Sequence, residues 1–102
     1  MGKHEIGERV GAISHTKKGT AYFFGYGTYD GDEVPPPGIQ IMGVELYEME
    51  LTNPKIILDS GDVVWGCECW WGSEESVRKN LLSFKHVVDV DVKEARVEIN
   101  ES

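Results

Sequence analysis

A chain of 102 residues is long enough for one hydrophobic core and too short for a core plus a separate functional domain, so residues 1–102 are expected to form a single unit. Its 18 acidic residues against 10 basic ones give a formal net charge of −8, which repels polyphosphate and argues against direct nucleic-acid binding, since only Lys17-Lys18 and Arg78-Lys79 place cations side by side. An acidic surface favours a basic partner, a cation, or mimicry of nucleic acid toward a protein that binds it. No apolar run is long enough for a signal peptide or a membrane span, so a cytoplasmic location, no membrane association and free thiols at both cysteines are expected.

The 12 glycines and the short-range alternation of apolar and polar residues predict a mainly β chain of short strands with a minor helical part. Arg9 to Ser14 is the first predicted strand, with Val10 and Ala12 on one face, and Thr16 to Thr20 is a polar turn. Ala21 to Tyr29 reads as a longer, bent strand in which Gly25 and Gly27 mark a bulge or the close approach of another backbone. DGDEVPPPG, Asp30 to Gly38, reads as a loop because its prolines cannot donate to a ladder. In Ile39 to Leu51 the alternation of Tyr47, Met49 and Leu51 with glutamates suits a strand, while Val44, Tyr47 and Leu51 also fit a helical stripe; the strand reading is taken.

After Asn53-Pro54, the segments Lys55 to Leu58 and Val63 to Trp71 flank Asp59-Ser60-Gly61-Asp62 as a hairpin. Ser73 has the residue type of an N-cap, with Glu74 and Glu75 in the first turn, so a short helix is predicted over 74–83, docking through Val77, Leu81 and Phe84. Val88, Val90 and Val92, then Val97 and Ile99, predict two further strands within 87–99. These would complete the sheet or pair two copies in a homodimer.

VVWGCECWWG, residues 63–72, concentrates three tryptophans and both cysteines. Read as one strand, it places Val63, Trp65, Cys67, Cys69 and Trp71 on a uniformly apolar core side and Val64, Gly66, Glu68 and Trp70 on a surface side, with Gly66 open to a partner's approach. A disulfide between Cys67 and Cys69 would be strained at that spacing. Zinc is not expected, because Cys67, Cys69, His4, His15 and His86 lack a second ligand pair at suitable spacing. Asp30, Asp32 and Glu33 resemble the start of a calcium loop whose later ligands are absent, and Gly25-x-Gly27 lacks the third glycine of a dinucleotide site. No metal and no cofactor are therefore expected.

IGERVGAI, a bent glycine-rich strand, GDEVPPPG, LDSGDVVWG and a following short helix come in an order that resembles small SH3-like barrels. GDEVPP and VVWGCECWWG are also similar to stretches of uncharacterised small proteins of bacteria and their phages. The resemblance implies a partly open barrel of about five to seven strands with one short helix after residue 73, and a phage or mobile-element association, but no activity. Ile39 to Leu51 and the tail after Phe84 depart from a minimal barrel.

Function follows from the aromatic residues. Tyr22, Phe24 and Tyr26 share one face of their strand by parity and are expected to meet Glu68 and Trp70, with Asp30, Asp32 and Glu33 at the rim. Aromatics flanked by carboxylates suit a basic peptide, a cationic group or a partner protein, so a non-enzymatic binding module is expected. The alternative is a small metal-dependent or hydrolytic enzyme using Glu68, His15 or the cysteines Cys67 and Cys69.

Overall fold

The computed structural model describes residues 4–101. Strands β1 (Arg9–Lys17) and β2 (Thr20–Glu33) form an antiparallel hairpin around Lys18 and Gly19, whose φ values of 48° and 82° fit the twist of the flanking strands. The turn is thus two residues long, narrower than expected, and Thr16 and Lys17 belong to the ladder. Strand β2 is also longer than predicted: it runs through Asp30 to Glu33, so only the proline part of DGDEVPPPG lies outside the sheet.

Gly25 and Gly27 do what their positions predicted. A Cβ on Gly27 would lie 2.4 Å from the Ile57 carbonyl oxygen, so glycine lets the next strand approach. Gly25, at φ 133°, sits where the register slips: Ala12 faces Gly25 but Ile13 faces Phe23, and His15 then faces Tyr22. Phe24 on one strand and Ser14 on the other are the extra residues of two offset bulges.

Strands β3 (Gln40–Ile41) and β4 (Val44–Glu45) make a separate small hairpin, after which 46–50 are turns. The strand reading of Ile39 to Leu51 is therefore corrected beyond Glu45: Leu46 is buried beside Ile39 and Trp65, while Tyr47, Met49 and Leu51 stay exposed. Strands β5 (Asn53–Leu58) and β6 (Val63–Trp65) pair as the expected hairpin. A 3-10 turn, Gly66–Glu68, leads to β7 (Trp70–Ser73) and then to α1 (Glu74–Leu81), where the Ser73 hydroxyl accepts the Ser76 N–H at 3.2 Å.

The tail differs most from expectation. Strand β8 (His86–Asp89) forms, but it pairs in parallel with Thr20 to Phe23 of β2. The chain then enters a second helix, α2 (Val92–Glu101), so the strand predicted at Val97 and Ile99 is corrected to helix. Asp91 starts it, its Oδ1 accepting the N–H groups of Lys93 and Glu94 at 2.8 and 3.1 Å. Strand β8 thus completes the sheet beside β2, one of the two roles expected of these segments.

The main sheet has six strands in the order β6-β5-β2-β1-β7, with β8 beside the first part of β2, and it does not close. One core cluster joins Val10, Ala12, Ile56, Leu58, Val64 and Val92, a second joins Ile13, Phe23 and Val77, and a third joins Ile39, Leu46 and Trp65. The fold is mainly β with a helical minority, as predicted, though with two helices instead of one. Among the described residues no helix is long and apolar enough to cross a membrane.

Candidate functional site

The tryptophan-rich stretch is two strands with a turn between them, so the parity of a single strand fails at Gly66. Trp65 is buried, 5% exposed, and packs with Ile39, Leu46, Val63 and Cys67. Trp71 and Cys69 pack instead against the cluster around Val10 and Ile56, where the Trp71 ring stacks on Tyr29 at 5.4 Å. The supposed surface side is mixed as well: Val64 is fully buried, and the space over Gly66 is filled by Pro54 and the Trp71 indole, leaving no approach for a partner.

Glu68 is committed within the fold. Its Oε1 accepts the Trp65 N–H at 2.9 Å and the Arg96 Nη2 at 2.7 Å, and its Oε2 accepts the Arg96 Nε at 2.7 Å. Arg96 also donates to the Val63 carbonyl at 2.9 Å, and its hydrogen bonds to Glu68 raise its pKa. The arrangement clamps α2 onto the end of β6. Both cysteines are free and partly buried. Burial, followed by the Glu68 charge, pushes both thiols up, Cys69 to about 12, so they are held protonated and poorly nucleophilic at neutral pH.

The predicted aromatic face is not assembled. The bulge at Phe24 reverses the parity between it and Tyr26: Phe24 packs on the cluster around Val10, whereas Tyr26 packs on Phe23 and lies under Arg78 of α1. Tyr22 is carried elsewhere again, stacked on His15 with ring centroids 4.4 Å apart. Asp30, Asp32 and Glu33 lie at the far end of β2 from Tyr22. There Lys55 approaches Asp30 at 3.8 Å and Glu33 at 3.5 Å, and Asp32 accepts the Tyr29 hydroxyl at 2.6 Å, which raises the Tyr29 pKa to about 12.

One of the predicted binding residues, Trp70, does line a groove, where it meets His15. Trp70, 50% exposed, opposes Ile13 at the point where β7 begins. Together with His15, Thr16, Asn80 and Phe84 these residues line a groove of about 420 Å³ with a mostly apolar floor. The groove lies between the sheet and the end of α1, whose position is fixed by the Ser73 cap and by Val77 pressing on Gly11. A half-exposed tryptophan over such a groove offers a large apolar contact with an N–H donor.

Around this end of the molecule the fold gathers cations that are dispersed in the sequence. The Lys85 and His86 N–H groups donate to the Gly19 carbonyl at 2.9 and 3.3 Å, which brings both residues to the hairpin tip bearing Lys17 and Lys18. Among the described residues, Lys17, Lys18 and Lys85 have no carboxylate within ion-pair distance, whereas Arg9, Lys55, Arg78, Lys79 and Arg96 do. Sequence reading missed this cluster because only Lys17 and Lys18 are neighbours in the chain.

A second hollow, of about 370 Å³, is lined by Phe24, Leu58, Asp62, Asp89, Asp91 and Glu94 among others. Among the described residues no group of three or more His, Cys, Asp or Glu side chains is placed to hold a metal ion. Compared with known proteins, the chain matches no family model, and no curated protein or solved structure is significantly similar to it.

Proposed function

We propose that the chain is a non-enzymatic binding module whose contact surface is the groove under Trp70. One observation carries this reading: a half-exposed tryptophan stands over an apolar groove of about 420 Å³, next to Phe84 and His15. Exposed aromatics at the centre of an apolar concavity are where binding energy concentrates in protein interfaces. The enzymatic alternative has less support, because Glu68 is held by Arg96 and the Trp65 amide and the two thiols are kept protonated.

A second reading keeps the basic partner and moves it to the hollow beside Phe24. Asp62, Asp89, Asp91 and Glu94 line it, and among the described residues none of them is in an ion pair. The two readings separate in a selection from a displayed random-peptide library against the wild type, Trp70→Ala and the pair Asp62→Asn with Asp89→Asn. The groove reading expects a shared peptide motif that survives the asparagine pair and disappears with Trp70→Ala, with both variants melting close to the wild type. Peptides that bind Trp70→Ala undiminished and are lost from the asparagine pair would place the contact surface at the acidic hollow.

A further inference from the structure

The surroundings of the groove identify its occupant, on the reading that the groove is the contact surface. Strand β7 covers only Val10 to Ile13 of β1, because the chain leaves the sheet edge before Trp70 through the 3-10 turn. Among the described residues nothing else pairs with the outer edge of β1 from Ser14 to Lys17. In a hairpin with a two-residue turn, the flanking residues exchange both backbone bonds, and bonded and non-bonded pairs then alternate. Lys17 therefore bonds Thr20, His15 bonds Tyr22, and the N–H and C=O of Thr16 point outward. Thr16 also lines the groove, so an open donor and acceptor stand beside an apolar trough.

Charge decides the chemistry of what fits there. Lys17 and Lys18 stand at the end of this edge, and Lys85 lies across the hairpin tip beside Gly19, none in an ion pair among the described residues, in a chain whose net charge is −8. We propose that the edge of β1 takes an extended acidic segment of a partner protein as an added strand. Its backbone pairs with Thr16, its alternate apolar side chains enter the groove between Trp70 and Phe84, and its carboxylates face Lys17 and Lys18. The added strand continues the line of β7 where the chain's own backbone turns away.

The test uses an N-acetylated, C-amidated nonapeptide that alternates glutamate with valine around one central phenylalanine, and the same peptide with lysine for glutamate. Backbone amide spectra and amide hydrogen exchange of the full chain are recorded with each. The acidic peptide is expected to shift the Trp70 indole signal and to slow exchange at the Thr16 amide by about 10-fold or more. Replacing Lys17 and Lys18 together by glutamine is expected to weaken binding about 5-fold at low salt, and raising the salt should do likewise. Thr16→Pro removes the outward N–H and is expected to abolish binding while leaving the β1–β2 bonds in place. If Thr16→Pro does not fold, exchange at Thr16 in the unsubstituted chain decides the pairing alone.

Tighter binding of the lysine peptide, an unprotected Thr16 amide, or self-association that covers Thr16 in place of peptide would overturn the proposal. Its failure is distinguishable from that of the groove. Library peptides that depend on Trp70 but carry no acidic residues sink only the acidic strand, whereas selections indifferent to Trp70→Ala sink both.

Discussion

Glu68→Ala is expected to destabilise the fold by about 2–3 kcal/mol, although on the sequence alone Glu68 reads as a surface carboxylate free for a ligand. The substitution removes the acceptor of three hydrogen bonds, two from Arg96 and one from the Trp65 N–H. Breaking a fully buried pair of this kind costs about 3–5 kcal/mol, chiefly through the charge left behind. The Glu68 side chain is 14% exposed and Arg96 is 33% exposed, so the orphaned guanidinium can partly rehydrate, which lowers the figure. Against a total stability of about 5–15 kcal/mol for a chain of this length, the melting temperature should fall by roughly 10–20 °C. The assay is urea unfolding of the wild type, Glu68→Ala, Arg96→Met and the double variant. A coupling energy of about 1.5 kcal/mol or more is expected, because each single change forfeits the same clamp. Coupling under about 0.5 kcal/mol would refute the assignment of α2 to the end of β6.

Three further outcomes follow from the fold. Trp65→Ala should cost about 3–5 kcal/mol, because it empties the cluster shared with Ile39 and Leu46, whereas Trp70→Ala should cost under about 1 kcal/mol; equal melting temperatures would reverse the two assignments. Gly27→Ala should prevent folding or lower the urea midpoint sharply, because its methyl would lie 2.4 Å from the Ile57 carbonyl oxygen, and an unchanged midpoint would show that β5 does not approach β2 there. Alkaline stability should depend on Cys69, whose thiol is held up to about 12: above an unfolded pKa of about 8.5 only the unfolded chain ionises, so stability falls as pH rises toward 12, by at most about 1.4 kcal/mol per pH unit from this group. Cys67, raised in the same sense, adds to the slope in the same range and Tyr29 only above its ordinary pKa near 10, so Cys69→Ala should flatten part of the decline between about pH 8.5 and 10, and an unaltered slope would contradict the burial of this thiol.

What the sequence disclosed was what its neighbours decide. The Asp59 to Asp62 hairpin, the Ser73 cap, the burial of Trp65 and the close approach at Gly27 each depend on a few adjacent residues, and each is present. Parity arguments held only as far as the strands were regular. The bulges at Ser14 and Phe24 and the turn at Gly66–Glu68 each shifted the count, which dispersed Tyr22, Phe24 and Tyr26 and turned Glu68 toward Arg96. Alternating valines concealed α2, although Asp91 followed by Glu94 is a helix-start signal that could have revealed it. The pairing of Glu68 with Arg96 and the convergence of Lys85 on Lys17 and Lys18 are contacts between distant segments, which no local pattern announces. Of the candidate binding residues, Trp70 is the one that lines the groove.

The most direct test of Trp70 as the centre of a contact surface needs no knowledge of the partner. A set of small aromatic and aliphatic fragments is titrated into the isotope-labelled chain and the perturbed signals are mapped. The groove predicts that shifts concentrate at the Trp70 indole N–H, Ile13, His15, Thr16, Asn80 and Phe84. Shifts that gather on the exposed Ile41 to Leu51 lobe or around Phe24 and Asp89, with the Trp70 indole unmoved, would contradict it.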